Sequence, residues 1–217
     1  MKKSITLFFL VLLIISAAGI NASAWPWSAK PVKAEIVFVL GDVKVNGKKA
    51  ETGTIINFND IIETGNGSIV RILAAEKTVV QLKANSKMHY RLNDKKGELY
   101  LEKGWIAGVT RKVFTKDGKY SVRTPTAVAA IRGTSYCFKV ENDLSSYFCI
   151  CNGTINMTAA GENKGEDISS AHHFGERFIM ADGKVSIEEA GMLYHTDEDL
   201  EELAAVINEK IDWSKLD

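Results

Sequence analysis

The chain has 217 residues and is electrically balanced, with 27 lysine and arginine residues against 27 aspartate and glutamate residues. This balance excludes an overall basic field, so we expect no nucleic-acid partner and no electrostatic attraction to an anionic membrane. The length suits one principal domain with an appendage, and it is enough to bury a core without disulfide support.

The N-terminus has the features of an export signal. Two lysines follow Met1, an apolar run covers residues 5–20, and a small-x-small cleavage site stands at residues 22–24. The apolar run is shorter than the roughly 20 residues that a membrane-spanning helix needs, which favours cleavage over a retained anchor. We therefore expect a signal peptide over residues 1–24 and a periplasmic or extracellular location. After cleavage, the protein is not expected to be an integral membrane protein.

The mature chain is expected to begin near Trp25 with a linker over residues 25–34. Short apolar segments then alternate with turn residues such as Asn46-Gly47 and Asp117-Gly118, and these segments are rich in Val, Ile, Tyr, Phe and Thr. The predicted strands are Glu35–Val45, Ser68–Leu73, Thr78–Lys83, Glu98–Val109, Tyr120–Arg123, Thr134–Val140 and Tyr147–Asn152. The pattern predicts an all-β sandwich, barrel or solenoid of many short strands over residues 35–156, without choosing among the three.

A distinctive run, Thr124–Thr134, follows one of these strands. Pro125 fixes its own φ and favours an extended residue before it, whereas Gly133 permits a backbone bend. Arg132 is the only charged residue of the run. We expect its guanidinium to order neighbouring loops through hydrogen bonds to backbone carbonyls, and direct contact with a ligand or partner is the alternative.

Three motifs of the β-region carry a family resemblance. They are Gly53–Gly65 followed by Ser68, then Leu101–Ile106, then Tyr120–Tyr136 with its Arg-Gly-Thr. With these motifs, residues 34–156 resemble the FecR domain family, and the third motif is the specific one. Its motif residues are Thr124, Pro125, Arg132, Gly133 and Thr134. Asn59 departs from the usual Gly-Asp pair, but asparagine tolerates the left-handed conformation that a turn needs.

The resemblance implies an extracytoplasmic, non-enzymatic, all-β domain. In the best-known members, this domain is the periplasmic part of a regulator that receives an iron-uptake signal from an outer-membrane transporter and relays it to a sigma factor. Only residues 1–3 precede the export signal here, so we expect no sigma-binding segment and no direct control of a sigma factor. A protein or a cell-envelope glycan is then the expected partner.

Cys137, Cys149 and Cys151 lie on two predicted strands that are joined by a polar turn. A hairpin centred on residue 143 places Cys137 opposite Cys149, and a hairpin centred on residue 144 places it opposite Cys151. In either register the three sulfurs share one face of the hairpin. The other face, which we expect to be the core, carries Tyr136, Phe138, Val140, Phe148 and Ile150.

Three interpretations of the cysteines stay open, because an odd number leaves at least one thiol without an intrachain disulfide partner. The first is a disulfide from Cys137 to Cys149 or Cys151, and the second is unreactive thiols. The third is a transition-metal site, for zinc or iron, completed by histidines when the C-terminal segment folds over the cysteine face. Its candidate ligands are Cys137, Cys149, Cys151, His172, His173 and His195. Only one of the two adjacent histidines is expected to join.

The C-terminal extension, residues 157–217, begins with a polar loop over residues 161–167 and ends in a predicted helix at about 197–210. Thr196 can cap this helix, and acidic residues fill its first turn. Its apolar stripe, which we expect to dock on the β-domain, consists of Leu200, Leu203, Ala204, Ile207 and Ile211.

The sequence contains no motif of a serine hydrolase, a phosphate-binding loop, a zinc protease or a dinucleotide-binding fold. A thiol-redox role for Cys149 and Cys151 is the only catalytic idea that these motifs leave open. The sequence therefore predicts an exported, non-catalytic binding, scaffold or sensory module. The alternative is a metal- or redox-responsive protein built on the cysteines and the late histidines.

Overall fold

The structure is a computed structural model that describes residues 30–94, 97–111 and 120–216. The predicted signal peptide, the expected mature start at Trp25 and the Asp117-Gly118 turn lie outside these residues. In the portion that is described, no helix has the length and apolar character required to cross a membrane.

The described residues are mostly strands, with one short helix, so the all-β prediction is confirmed. In chain order the strands are β1 (Ala34–Leu40), β2 (Val43–Val45), β3 (Lys48–Lys49), β4 (Ile55–Ile56), β5 (Ile61–Thr64), β6 (Ile69–Ala74), β7 (Thr78–Leu82), β8 (Lys87–Leu92), β9 (Gly97–Thr110), β10 (Tyr120–Arg123), β11 (Ala127–Ile131), β12 (Ser135–Asn142), β13 (Ser145–Ala159), β14 (Glu166–Ser170), β15 (Phe174–Ala181) and β16 (Lys184–Glu189). The helix is α1 (Asp197–Val206).

The strands form two sheets that share the long strands β9 and β13. The first sheet has the order β4-β1-β6-β7-β9-β12-β13-β15-β16, and the second has the order β3-β2-β5-β8-β9-β10-β11-β13-β14. Neighbours are antiparallel except β9 and β10, which are parallel. Because β9 and β13 belong to both sheets, the ring β9-β10-β11-β13-β12 closes on itself. The structure is therefore a closed barrel from which both sheets extend, and not a solenoid.

Glycines allow β9 and β13 to cross from one sheet to the other. Gly104 has φ +89°, and a Cβ at this position would lie 2.4 Å from the Cα of Ser86. Gly153 has φ +115°, and a Cβ there would lie 3.0 Å from the carbonyl oxygen of Gly133. Since an L side chain resists both the left-handed conformation and the close approach, each corner needs glycine.

The main core lies between the two sheets, where inward-facing residues of both meet. The predicted core face of the cysteine hairpin is confirmed, because each of its five apolar residues is buried in this cluster. Aromatic rings dominate the centre: Phe138 lies 4.6 Å from Phe148, and Phe148 lies 5.1 Å from Phe178, measured between ring centroids. The opposite face of the hairpin is thereby directed away from the main core.

A second apolar layer covers the outer face of the first sheet. Helix α1 supplies Leu200, Leu203 and Ala204, which are fully buried against Val79, Val109 and their neighbours. Burial of each leucine contributes about 1.5–3 kcal/mol to stability. Ion pairs add to the docking, since Lys83 Nζ lies 2.9 Å from Asp199 Oδ2 and Arg71 is paired with Glu202.

Helix α1 begins as predicted and ends earlier than predicted. Thr196 is the N-cap, and its hydroxyl accepts a hydrogen bond from the backbone N–H of Asp199. The predicted end at about residue 210 is wrong, because Asn208 takes a left-handed conformation with φ +57°. The N–H groups of Asn208 and Glu209 then bond back to the carbonyls of Ala205 and Ala204, which closes the helix at Val206.

The C-terminal extension also contains three strands that the sequence analysis did not predict. The predicted polar loop at residues 161–167 gives way to β14 at Glu166, and β15 and β16 follow. Strands β14 and β16 are largely exposed, so they lack the apolar alternation on which the prediction relied. They form because β14 and β15 pair with the two halves of β13, and β16 pairs with β15.

Candidate metal centre

The cysteine-bearing hairpin is formed by β12 and β13. Cys137 lies opposite Cys149, which is the register centred on residue 143. All three cysteines point to the outer face of the first sheet and are completely buried under the C-terminal segment. Cys149 and Cys151 are two residues apart on one strand, so their side chains project side by side, with 3.7 Å between the Sγ atoms.

His173 reaches the cysteines because it immediately precedes β15, the strand that pairs with β13. Phe174 is the register partner of Ile150, and the backbone N–H of His173 donates to the carbonyl of Cys151 at 3.0 Å. His173 has φ +51°, in the left-handed region that residues other than glycine seldom adopt. This conformation at the strand entrance places the imidazole over the sulfurs, with Nδ1 3.6 Å from Cys149 Sγ.

His195 is placed by the loop between β16 and α1. Tyr147 anchors this loop from β13, because its hydroxyl donates to the carbonyl of Gly191 at 3.0 Å and accepts from the N–H of Leu193 at 2.9 Å. The hydroxyl of Tyr194 donates to Glu141 at 2.5 Å. These bonds fix the chain just before Thr196, and His195 Nε2 lies 3.3 Å from Cys151 Sγ.

Four donor atoms therefore converge at one point. They are Cys149 Sγ, Cys151 Sγ, His173 Nδ1 and His195 Nε2, and all lie within 4.8 Å of one another. The two facing ring nitrogens are 3.2 Å apart. The side chain of His173 exposes 7% of its area, and the whole residue His195 also exposes 7%. Water therefore has little access to the cluster.

The outer nitrogens of both imidazoles are occupied by acceptors. His173 Nε2 lies 2.6 Å from Asp197 Oδ1, and His195 Nδ1 lies 2.7 Å from the carbonyl oxygen of Leu193. A carboxylate and a carbonyl only accept, so each of these nitrogens carries the proton of its ring. In neutral imidazoles the two inner nitrogens are then both lone-pair acceptors that face each other.

The thiol pair is polarised. A hydrogen bond from Cys151 outweighs burial and lowers the pKa of the Cys149 thiol to about 3, with His173 and His195 contributing further. Burial and the neighbouring Cys149 raise the pKa of the Cys151 thiol. Burial lowers the pKa of His173, but its bonds to Cys149 and Asp197 have the larger combined effect and raise it. The cluster thus stabilises a buried thiolate beside imidazole rings.

Residues 60–156 match a family model described as FecR protein. This segment is therefore similar to FecR domains. The matched segment runs from the residue before β5 into β13, and it includes all three cysteines. It ends before β14, β15, β16 and α1, so the histidines of the cluster lie outside the FecR match.

Two crystal structures from Parabacteroides distasonis, each described as a "putative anti-sigma factor", are similar to this chain. Both are 17% identical in sequence, with TM-scores of 0.49 and 0.48. The similarity covers 59% of this chain and 59% of the chain in each structure. No curated protein matches the chain.

The remaining predicted ligands lie beside the cluster and not in it. Cys137 is buried next to Cys149 but does not belong to the group of four donors, and burial raises its pKa. His172 is about half exposed and lies 3.0 Å from Asp197 Oδ2.

All three cysteines are free, and the Cys149–Cys151 sulfur separation of 3.7 Å far exceeds the roughly 2.0 Å of a disulfide.

The family-motif residues form turns at the ends of β10 and β11. Thr124 Oγ1 accepts from the N–H groups of Thr126 and Ala127, Gly133 bends the chain at φ +67°, and Thr134 Oγ1 donates to the carbonyl of Thr154 at 3.1 Å. Arg132 differs from the expectation. It follows the inward-facing end of β11, so its side chain points to solvent and forms no hydrogen bond or ion pair with a described residue.

Sequence reasoning missed the groups that orient the histidines. Asp197 was interpreted only as a helix-terminus charge, although it also holds His173 and His172. Tyr147 and Glu141, which anchor the loop before His195, carry no sequence signal of this role because their partners lie 36 to 53 residues away. The Asp182-Gly183 pair, a hairpin signal, could have revealed β15 and β16.

Proposed function

We propose that this protein is an exported sensory or binding module of the FecR class, acting without catalytic turnover in the periplasm or outside the cell. The observation that carries the proposal is the FecR match over residues 60–156, whose strands build the closed barrel. The family supports a regulatory role that is exercised on a protein partner. The export-signal features of residues 1–24 support the location.

Non-catalytic action is also favoured by the way in which the reactive groups are arranged. The four donor atoms of the Cys–His cluster face one another; Cys149, Cys151 and His195 are buried, and the side chain of His173 exposes only 7% of its area. A substrate would have to displace the C-terminal segment to reach the sulfurs. Partner contact is therefore assigned to the outer surface, where Phe38 and Leu40 of β1 expose 39% and 51% of their area.

A two-part experiment tests this proposal. N-terminal sequencing of protein recovered from cell fractions is expected to give a chain beginning near Trp25 outside the cytoplasm. A photo-crosslinking residue at Leu40 is expected to capture one protein, whereas the same residue at Lys184 on the exposed strand β16 serves as the matched control. Retention of the uncleaved chain in the cytoplasm, or equal labelling from both positions, would contradict the proposal. Labelling of glycan instead would identify the alternative partner class.

A metal- or redox-responsive function is the second candidate, and the convergence of Cys149, Cys151, His173 and His195 favours it. Alkylation of the native protein separates its two forms. A redox role requires a thiolate that reagents reach at neutral pH, whereas a metal role predicts thiols that react only after chelation. Complete protection that persists after chelation would contradict the redox form.

A further inference from the structure

The separations of the four inner donor atoms fit one tetrahedral zinc ion. Bonds of about 2.3 Å to sulfur and about 2.0 Å to nitrogen, at the tetrahedral angle, require about 3.8 Å between sulfurs, about 3.5 Å between sulfur and nitrogen and about 3.3 Å between nitrogens. The structure has 3.7 Å between the sulfurs, 3.6 and 3.3 Å for two of the four sulfur–nitrogen pairs, and 3.2 Å between the nitrogens, and every pair lies within 4.8 Å. Atoms this close enclose one ion and have no room for a two-iron cluster.

The positions of the imidazole protons also favour a cation at the centre of the cluster. Asp197 and the Leu193 carbonyl hold the outer ring protons, so the inner lone pairs of His173 and His195 face each other at 3.2 Å. Two lone pairs at this distance repel unless a proton or a metal ion lies between them. Carboxylate and carbonyl acceptors on the outer nitrogen are the usual partners of zinc-bound histidines, because they fix the tautomer and orient the ring.

The chemistry of the donors selects the ion and the kind of site. Two thiolates and two imidazoles in a tetrahedron suit Zn²⁺, which has no geometric preference of its own and accepts both donor types. Two thiolate charges neutralise the dication, so the buried complex carries no net charge. All four positions are taken by protein atoms, which is the mark of a structural site and not of a catalytic one.

We propose that Cys149, Cys151, His173 and His195 bind one Zn²⁺ ion, which fastens the entrance of β15 and the start of α1 to the centre of β13. The proposal rests on the metal form of the second candidate function and is independent of the FecR partner proposal. Binding forms two Zn–S and two Zn–N bonds, and any protons carried by the two thiol groups pass to solvent. No electron is transferred, so no oxidant or reductant is required.

The ion would act as a clamp on the C-terminal segment. The three ligand-bearing parts of the chain are far apart in sequence, and the ion would join His173 and His195 where the Ala190–Gly175 hydrogen bond and the His173–Asp197 contact also bring the chain together. Loss of the ion leaves the apolar contacts of Leu200 and Leu203 and the Tyr147 bonds to the loop between β16 and α1 in place, but it removes the bonds that tie His195 to β13. Metal occupancy therefore determines how firmly His195 is held against β13.

The surface next to the cluster offers an entry side for the ion. A shallow surface cavity is lined by His172, His173, Met192, Thr196, Asp197 and Glu198. His172 and Asp197 also form a second group of potential ligands with His173, and they are more exposed than the buried donors. An arriving cation can therefore contact the Asp197 carboxylate before it reaches the sulfurs.

Cobalt titration of the full-length, reduced and metal-free protein tests the proposal. Co²⁺ is expected to produce the intense visible bands of tetrahedral cobalt and a thiolate-to-cobalt charge-transfer band, both saturating at one ion per chain. Added Zn²⁺ should abolish both signals. A folded wild-type protein that gives no tetrahedral cobalt spectrum would overturn the proposal, whatever the result of the partner crosslinking.

Two cysteine variants make the assignment specific. Cys151→Ser should weaken cobalt binding at least tenfold, since even groups that only orient metal ligands contribute 10- to 100-fold. Cys137→Ser is the matched control, because Cys137 is equally buried on the same face but lies outside the four donors. If Cys151→Ser fails to fold, chelator should still lower the Tm of the wild type and of Cys137→Ser. Equal loss of cobalt binding in both variants would overturn the ligand assignment.

Discussion

Replacement of Gly175 by alanine should disturb the metal centre without touching a ligand. Gly175 lies opposite Cys149 in β15, and its carbonyl accepts a hydrogen bond from the N–H of Ala190 at 2.8 Å. A Cβ at this position would lie 2.1 Å from the carbonyl oxygen of Ala190 and 2.7 Å from that of Gly191. Both contacts are with backbone, so no side-chain rotation relieves them. The loop that carries His195 must move away from β15.

The structure sets the size of this effect. Relief of the 2.1 Å contact requires a shift of about 1 Å, which breaks the Ala190–Gly175 hydrogen bond and costs about 1 kcal/mol. Overpacking at a buried site costs a further 1–3 kcal/mol. We therefore expect Gly175→Ala to lower the free energy of unfolding by about 2–4 kcal/mol. Displacement of His195 should also weaken cobalt binding about 10- to 100-fold, as do other changes that misplace metal ligands.

Urea unfolding and cobalt titration measure the two effects on the same protein samples. Gly191→Ala is the matched control, because Gly191 lies in the same loop and a Cβ there would meet nothing within 4 Å. The control should retain both the wild-type stability and the wild-type cobalt affinity. If Gly175→Ala behaved like Gly191→Ala in both assays, the described placement of the loop against β15 would be refuted.

Three further predictions concern the contacts around the centre. Leu203→Ala should lower the free energy of unfolding in urea by about 2–5 kcal/mol, because it leaves a cavity under α1, and a loss below 1 kcal/mol would argue against the docked helix. Burial raises the pKa of Glu141, but its hydrogen bonds, led by Arg177, together have the larger effect and lower the pKa to about 2. The stabilisation by Glu141 should therefore be full above the unfolded pKa of about 4.3 and should disappear as the pH falls toward 2. The wild-type advantage over Glu141→Gln in urea should thus shrink across that range, and a difference independent of pH would contradict the ion pair. Asp197→Asn should weaken cobalt binding about tenfold, because it weakens the hydrogen-bond acceptor of His173. Glu198→Gln removes a charge from the same helix turn and should leave cobalt binding unchanged. Equal effects of the two variants would mean that Asp197 acts only through helix electrostatics.

Several strands with an alternating burial pattern were predicted from the sequence, although β8 and β11, which also alternate, were not. Tyr120–Arg123 was predicted with the observed bounds, and β6, β7 and β9 were predicted to within two residues at each end. The Asn46-Gly47 turn has φ +52° and +74° and joins β2 to β3, as such pairs do in two-residue hairpins. Strands such as β4, with two residues, and β16, with an exposed surface, depend on their neighbours for pairing. No local pattern reveals them.

The face of the cysteines was predictable, and the geometry around it was not. Alternation along β12 and β13 placed the three sulfurs together, because side chains of a strand alternate whatever the partner is. The choice of His173 over His172 depends on a left-handed residue at the entrance of β15. The choice of Cys149 and Cys151 over Cys137 depends on where β15 and the loop after β16 cross the sheet. Both are tertiary features.

The expected role of Arg132 shows the limit of motif reasoning. A single charge in an apolar run suggested an internal hydrogen-bonding role, but Arg132 lies in the bend after β11 and is exposed to solvent. The turns are ordered by the hydrogen bonds of Thr124 and Thr134 and by the positive φ of Gly133. Arg132 is therefore available for contact with a partner, which was the alternative interpretation.

X-ray absorption at the zinc edge of the purified full-length protein, prepared without chelator and supplied with one equivalent of zinc, reports the ligands of the ion. We expect a four-coordinate ion with two sulfur ligands at about 2.3 Å and two nitrogen ligands at about 2.0 Å. Coordination by oxygen and nitrogen alone would contradict this expectation, because the ion would then lie outside the Cys149–Cys151 pair.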